Sequence, residues 1–193
     1  QKQIKGRKVF LAASTHQGEE SQIIKIHQNL KQKYQDLLTI IVIRHPNRSG
    51  QVQSLLNDSD FRVFDNDIVI NNDNEILLVD KMGILGLFYK LSDFAFVAGS
   101  LAEIGGHNPC EAIKLDCAVI AGQHYFNFQE TYDQLQDHNA CIISKDASDL
   151  ELLVTDIFEN KIDLQEIVKN AQDYFSHSSK AATKTIDYSK KFL

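Results

Sequence analysis

The strongest constraint on the fold is a repeated alternation of short apolar runs with amphipathic stretches. Seven runs rich in β-branched and aromatic residues predict strands at 8–13, 38–44, 61–64, 75–80, 94–99, 118–122 and 140–144. Several runs are apolar on successive residues, as in strands covered on both faces. The amphipathic stretches predict helices near 19–34, 84–91, 109–115, 128–136 and 148–160, and from 163 onward. This alternation predicts an α/β fold on a doubly wound parallel sheet.

The length and composition are those of one globular domain. The chain has 193 residues, of which 43% are hydrophobic and 24% charged. No repeat, low-complexity segment or linker divides it, so residues 1–193 are interpreted as a single domain. The polar segment 65–74, DNDIVINNDN, predicts a surface excursion. The sequence lacks an initiator Met, which suggests a piece of a longer protein.

Charge, apolar runs and cysteines exclude several classes of protein. A net charge of -6 argues against a nucleic-acid partner, because phosphate contacts need clustered Lys and Arg. No apolar run approaches the roughly 18 residues of a membrane span, and no signal peptide is visible. Cys110, Cys117 and Cys141 are odd in number and form no CxxC, which indicates thiols in a reducing compartment.

The common cofactor and hydrolase motifs are absent. Neither GxGxxG nor GxxxxGK[ST] occurs, which argues against a dinucleotide-binding domain and a P-loop. The GxSxG motif of Ser hydrolases is also absent, so the sequence gives no support to that class of enzyme. The histidines lack metal-ligand spacings, and although His45, His107 and His124 follow strands and could converge, we expect no metal.

The stretch GSLAEIGGHNPCEA (99–112) holds three of the nine glycines and one of the two prolines. One interpretation is a well-formed helix start, with Asn108 as N-cap, Pro109 at the first helical position and Glu111 in a capping-box arrangement. That interpretation leaves Gly105 and Gly106 unexplained. Consecutive glycines before a helix would leave free amides near a positive dipole end, which is a site for an anion.

Polar residues after two other strands offer partners for such an anion. Arg44 ends a buried strand beside His45, and its guanidinium either binds a phosphate or pairs with an acidic side chain. Ser14 and Thr15 follow the first strand, where they either cap the next helix or add hydroxyls near the anion. Ligands of such sheets bind at the carboxyl ends of the strands, where all these residues lie.

Five motifs together resemble the C-terminal half of the 3-deoxy-D-manno-octulosonic acid (Kdo) transferases. They stand in the family's order from Val9 to Ile143: STHQGEE (14–20), RHPNR (44–48), DKMG (80–83), FAFVAGSL…GGHNPCEA (94–112) and AGQHYFNFQE (121–130). The resemblance implies the C-terminal, Rossmann-like half of a GT-B glycosyltransferase, which binds the donor CMP-Kdo. It covers this whole domain but only about half of a family member.

The resemblance also implies a function. The family transfers Kdo from CMP-Kdo to a lipid A precursor (lipid IVA) in lipopolysaccharide biosynthesis, at the cytoplasmic face of the bacterial inner membrane. It needs no metal or cofactor. Its catalytic base, acceptor groove and membrane contact belong to an N-terminal domain that we expect to be missing here. This domain alone is then expected to be soluble and inactive, with no catalytic residue of its own.

The family's donor site implies specific residues in this chain. The nucleotide would be held by Ile43, Arg44, Met82, Gly83, Ile84, Asn108, Pro109, Cys110 and Glu111. The phosphate or sugar would lie near Ser14, Thr15, His45, Gly105 and Gly106. The family usually has an acidic residue at position 84, so Ile84 would contribute through its backbone.

Two other functions fit the same residues. A UDP-sugar transferase of the GT-B class, or an enzyme like UDP-N-acetylglucosamine 2-epimerase, also combines a Gly-rich loop with a ribose-binding Glu, and a preference for UMP would favour it. A non-catalytic nucleotide-binding or interaction module is the third reading.

Overall fold

The seven predicted strands form one parallel sheet. The structure is a computed structural model that describes residues 4, 6–56, 59–65, 70–71 and 73–189, without the side chains of 177–189. The strands are β1 (Val9–Thr15), β2 (Leu38–Ile43), β3 (Phe61–Val63), β4 (Ile76–Val79), β5 (Phe94–Val97), β6 (Ala118–Gly122) and β7 (Ile142–Ser144). Their order is β3-β4-β2-β1-β5-β6-β7, and every neighbouring pair is parallel.

Helices connect the strands and cover the sheet. They are α1 (Glu19–Lys33), α2 (Ser49–Leu55), α3 (Leu85–Tyr89), α4 (Cys110–Lys114), α5 (Gln129–Asp137), α6 (Ala147–Phe158) and α7 (Leu164–Ser189). Single 3₁₀ turns at Pro46–Arg48 and Phe126–Phe128 precede α2 and α5.

Two hydrophobic cores lie on the two faces of the sheet. Successive residues of β1 alternate between them: Phe10 and Ala12 pack into the first core, and Leu11 and Ala13 into the second. Helices α1, α2 and α6 supply the first core, whereas α3, α4 and α5 supply the second. Because both faces are covered, β4, β5 and β6 are buried and apolar at every residue, and the doubly wound α/β architecture is confirmed.

The winding reverses between β1 and β5. From β1 the chain builds outward through β2 to β4 and β3, and it then returns to place β5 on the other side of β1. The loops after β1 and β5 therefore diverge and leave a crevice at the carboxyl edge of the sheet, where ligands of such folds bind.

Among the α-helices and strands that the structure describes, α2 was not predicted by the sequence pattern. Its sequence, SGQVQSL, buries only Val52, so it carries no apolar stripe that would show a helical period. The predicted surface excursion at 65–74 is described only in part, since residues 66–69 and 72 lie outside the described residues. Of the remainder, Asp65, Asn71 and Asp73 are exposed, but Asn74 is buried and donates to Asp60 Oδ1.

In the part of the chain that the structure describes, no helix is both long and apolar enough to cross a bilayer.

Candidate functional site

A cavity of about 220 Å³ lies at the carboxyl edge, beside the crevice. It is lined by residues at the carboxyl ends of β1 and β2, by the loop after β4, and by one residue each of α3 and α4. Six of them are predicted site residues: Ser14, Ile43, Arg44, Met82, Gly83 and Glu111. Val42, Lys81 and Leu85 complete the lining. Residues up to 97 positions apart in the sequence thus meet because parallel strands end at the same edge.

Arg44 brings a cation to this cavity. Its backbone N–H donates to Thr15 O at 3.0 Å, which fixes the start of the loop after β2. The guanidinium approaches Met82 Sδ at 4.0 Å. Among the described residues, no carboxylate forms an ion pair with Arg44. The described part of the chain thus gives no support to the ion-pair alternative, and the Arg44 side chain lines the cavity.

Glu111 presents a carboxylate to the same cavity. It lies in the first turn of α4, is exposed, and accepts no hydrogen bond from any described residue. Gly86 in α3 allows this approach, because a Cβ there would lie 3.1 Å from Glu111 Oε1. The capping-box interpretation of Glu111 is wrong, since α4 carries no such reciprocal bond.

The loop after β4 supplies backbone and a second cation. Gly83 has a φ of 80°, a left-handed conformation that glycine adopts without strain, and a Cβ would meet no atom there within 4 Å. Met82 is 61% exposed beside it. Lys81, which the sequence analysis did not single out, also lines the cavity, with its ammonium 5.5 Å from the Phe64 ring.

Four predicted nucleotide-binding residues lie next to the cavity without lining it. Ile84 packs against the second core. Pro109 is buried and Cys110 is half-buried, while Asn108 is exposed and its Oδ1 accepts from Cys110 N at 2.9 Å. Asn108 thus satisfies an amide at the start of α4, which begins at Cys110 rather than at Pro109.

Backbone amides at the start of the glycine-rich loop already bind a carboxylate of the protein itself, that of Glu19. The Glu19 carboxylate is fully buried and accepts from Gly99 N at 2.8 Å, from Ser100 N and Leu101 N at 3.1 Å, and from His16 N at 3.0 Å. This buried carboxylate ties the first turn of α1 to the loop after β5. These amides are therefore not available to a ligand.

Gly105 and Gly106 are explained by close packing rather than by free amides. Gly106 N donates to Gly99 O at 2.7 Å, so the expectation of an unoccupied amide there is wrong. Gly105 has a φ of 105°, and a Cβ on it would lie 2.2 Å from Asn127 Nδ2. The two glycines let the loop pass against the segment that follows β6.

Ser14 and Thr15 lie in different environments. Ser14 has a φ of 62° at a register shift in β1, a bulge that turns it toward the cavity. Thr15 is fully buried and its hydroxyl donates to Glu20 Oε1 at 3.2 Å, so it cannot reach a ligand. Neither residue caps α1, whose N-cap is Gly18, and the capping interpretation is wrong.

Three histidines meet at the crevice itself. His16 Nε2 and His107 Nε2 are 2.8 Å apart with their rings stacked, and the His45 ring stands edge-on to His16 at 5.3 Å. Burial lowers the pKa of both paired imidazoles, that of His107 to about 4, and nearby Arg44 and His45 lower both further. Sequence analysis noted His45 and His107 but missed the pairing, which depends on β1 and β5 being neighbours.

A larger hollow of about 1020 Å³ lies at the opposite, amino edge of the sheet. Its lining includes Arg7, Tyr89, Ser92 and Lys114, which precede strands rather than follow them. Size alone would favour this hollow, but ligands of doubly wound sheets bind at the carboxyl ends of the strands, which favours the smaller cavity. Within the described residues, no three His, Cys, Asp or Glu side chains are grouped to hold a metal ion.

Comparison with known proteins identifies the same family as the motifs. No protein-family model matches the chain. It is 34% identical to the 3-deoxy-D-manno-octulosonic acid transferase of Haemophilus influenzae over 190 residues, which cover 97% of this chain and 44% of that protein. It is 29% identical to the enzyme of the same name from Rickettsia typhi, covering 98% of this chain and 42% of that protein.

A solved structure matches the fold over most of its length. The C-terminal CMP-Kdo binding domain of WaaA from Acinetobacter baumannii superposes with a TM-score of 0.83 and 32% identity, covering 88% of this chain and 90% of that one. The chain thus spans less than half the length of these curated transferases but nearly all of this separate domain. The chain belongs to the 3-deoxy-D-manno-octulosonic acid transferase family and corresponds to its C-terminal domain.

Proposed function

We propose that the chain is the donor-binding domain of a Kdo transferase and that the cavity holds the nucleotide of CMP-Kdo. The observation that carries this proposal is the meeting of Ser14, Ile43, Arg44, Met82, Gly83 and Glu111 around one cavity. These residues come from separate segments that share only a place at the carboxyl edge of the sheet.

Each group has a chemical role in that proposal. The Arg44 guanidinium holds the phosphate and stabilises the charge that develops on CMP as it leaves. The Glu111 carboxylate accepts hydrogen bonds from the two ribose hydroxyls, and the backbone of Met82 and Gly83 faces the cytosine. Lys81 adds a second positive charge on the same wall. Helix α4 has only five residues, so the side chains rather than its dipole carry the binding.

The cavity has the character of half a cleft. Its volume of about 220 Å³ lies below the roughly 300–1,000 Å³ typical of complete ligand sites. Met82, Ile104 and Phe126, which follow β4, β5 and β6, are 61%, 42% and 58% exposed at this edge. We propose that an N-terminal domain of the whole protein closes the cleft over them and carries the catalytic base.

The whole protein is proposed to transfer Kdo to a lipid A precursor in lipopolysaccharide biosynthesis. Its acceptor groove and membrane contact would belong to the N-terminal domain, at the cytoplasmic face of the inner membrane. The reaction is proposed to need no metal or cofactor, because CMP-Kdo carries a single phosphate whose charge Arg44 and Lys81 can balance.

Nucleotide preference tests the proposal. Titration calorimetry of this chain with CMP, UMP and AMP should give a dissociation constant between about 1 μM and 1 mM for CMP, as expected of half a cleft, and weaker binding for the other two. Equal affinity for all three would remove the donor assignment. A preference for UMP would favour a UDP-sugar enzyme instead.

Two substitutions assign the roles within the cavity. Arg44→Gln should weaken CMP binding by about 10- to 100-fold through the lost charge-assisted bonds to phosphate, and should leave cytidine binding unchanged. Glu111→Gln should weaken CMP and cytidine alike. Glu103→Gln, at an exposed loop position away from the cavity lining, is the matched control. Unchanged CMP affinity in the Glu111 variant would reduce that residue to a surface carboxylate.

A further inference from the structure

The histidine pair of the crevice is not explained by the proposed nucleotide cavity. His16 and His107 follow β1 and β5, the two strands between which the winding reverses. Gly99, with a φ of 74°, makes room for them, because a Cβ there would lie 3.1 Å from His107 Cδ2. Tyr132 Oη donates to His107 O at 2.9 Å and holds that loop from α5. The surrounding structure therefore holds the two imidazole rings in contact.

The hydrogen bond between the rings determines how many N–H donors the pair has left for a ligand. With 2.8 Å between the two Nε2 atoms, one ring donates its Nε2–H and the other accepts. In the neutral pair the accepting ring carries its proton on Nδ1, and no described residue bonds to either Nδ1. The neutral pair thus presents one free donor, and one added proton gives it a positive charge and a second free donor.

The charged and titratable groups around the pair come from two segments. Glu19 and Glu20 of α1 face His16, and Arg44 and His45 after β2 face both rings. The Glu19 carboxylate is occupied by four backbone amides, and Glu20 is paired with Arg48 at 2.8 Å. Among the described residues, neither of these carboxylates is left to accept a bond from the rings, while a guanidinium lies nearby. These surroundings are those of a site for an anion.

We propose that His16 and His107, with His45 and Arg44 beside them, form a second subsite of the cleft that binds an anionic group of the donor and takes up one proton as it does so. The inference rests on the proposed function. The anionic group is either the phosphate or the carboxylate of the acid sugar, and both have the chemistry to accept from two imidazole N–H groups.

The expected coupling is large enough to measure. An anion at about 4 Å changes proton affinity by about a thousandfold at an effective dielectric near 20. The pair, neutral at pH 7 when free, would then titrate close to neutrality when the anion is bound. The proton comes from the solvent, so binding strengthens as the pH falls.

Long-range ¹H–¹⁵N spectra of the imidazoles test this directly. The chain is titrated from pH 8 to pH 5 alone and with saturating cytidine, CMP or CMP-Kdo. Cytidine should leave the His16 and His107 signals unchanged. The free pair should stay neutral over this range, because burial lowers the pKa of His107 to about 4. A midpoint that appears between pH 8 and pH 5 with CMP identifies the phosphate as the anion, and one that appears only with CMP-Kdo identifies the sugar carboxylate.

Variants separate this inference from the proposed function. His16→Gln and His107→Gln should each weaken binding of the responding ligand at least tenfold at pH 6 and remove most of its pH dependence. His138→Gln, at the exposed end of α5, is the matched control. Tyr132→Phe, which loosens the His107 loop without removing a ring, gives a second check should a ring variant fail to fold.

Two results would overturn the inference, and they differ. If CMP binds and neither CMP nor CMP-Kdo moves the midpoint of either ring, the subsite is absent although the donor assignment stands. If neither CMP nor CMP-Kdo binds at all, the proposed function fails and the subsite fails with it.

Discussion

Glu19 shows how a single buried carboxylate can fix the geometry of a site. It accepts hydrogen bonds from four backbone amides, three of them in the loop after β5. These bonds anchor to α1 the loop that carries His107 and leads into α4. Sequence pattern could not reveal this contact, which spans 80 residues.

Replacing Glu19 should destabilise the whole fold. Glu19→Gln keeps the shape but turns an amide group toward N–H donors, so we expect a loss of about 2–4 kcal/mol in the free energy of unfolding. Urea denaturation measures it. Glu103→Gln, on an exposed loop, should change stability by less than about 0.5 kcal/mol. A loss equally small in the Glu19 variant would show that the amides do not depend on this carboxylate.

Helix α1 illustrates what periodicity predicts and what it leaves out. Its position and its apolar residues Ile23, Ile24, Ile26 and Leu30 follow from the helical period. His27 is also buried, at 1% exposure, and hydrogen-bonds through Nδ1 with Thr39 at 2.8 Å. The helical period of apolar residues does not show that a polar residue such as His27 is buried. That burial becomes clear only when its hydrogen-bond partner on β2, Thr39, is known.

The stability of the α1–sheet contact should depend on pH. Burial lowers the pKa of His27 from 6.5 to about 4, despite Glu75 Oε2 at 3.8 Å from Nε2. The unfolded chain therefore binds the proton more tightly, and stability falls as the pH drops from 6.5 toward 4, then levels off. Between pH 7 and pH 4, His27 should account for a loss of about 3 kcal/mol.

The difference between two variants isolates this contribution. His27→Gln should lose correspondingly less stability over the same range in urea denaturation, whereas His138→Gln, on the surface, should behave like the wild type. Because His107 also has a lowered pKa, part of the acid sensitivity should remain in the His27 variant. Identical pH curves for wild type and His27→Gln would contradict the assignment.

At the scale of the whole molecule, the alternation of strands and helices predicted the architecture and the edge at which the site lies. All seven strands were predicted, and the inner strands β4, β5 and β6 are apolar at every residue because both faces of the sheet are covered. The strand order could not be read from the sequence, and neither could the pairing of His16 with His107, which depends on it. The sequence marked the glycines at 105 and 106 as unusual but not the reason for them, which is the close approach of Asn127 and Tyr125.

A crystal structure of this chain with bound CMP would locate the nucleotide site. We predict the nucleotide in the cavity at the carboxyl edge, with its phosphate on Arg44 and its ribose on Glu111. The competing location is the larger hollow at the amino edge, lined by Arg7, Ser92 and Lys114. Nucleotide bound in that hollow, with Arg44 and Glu111 free of contacts, would contradict the account.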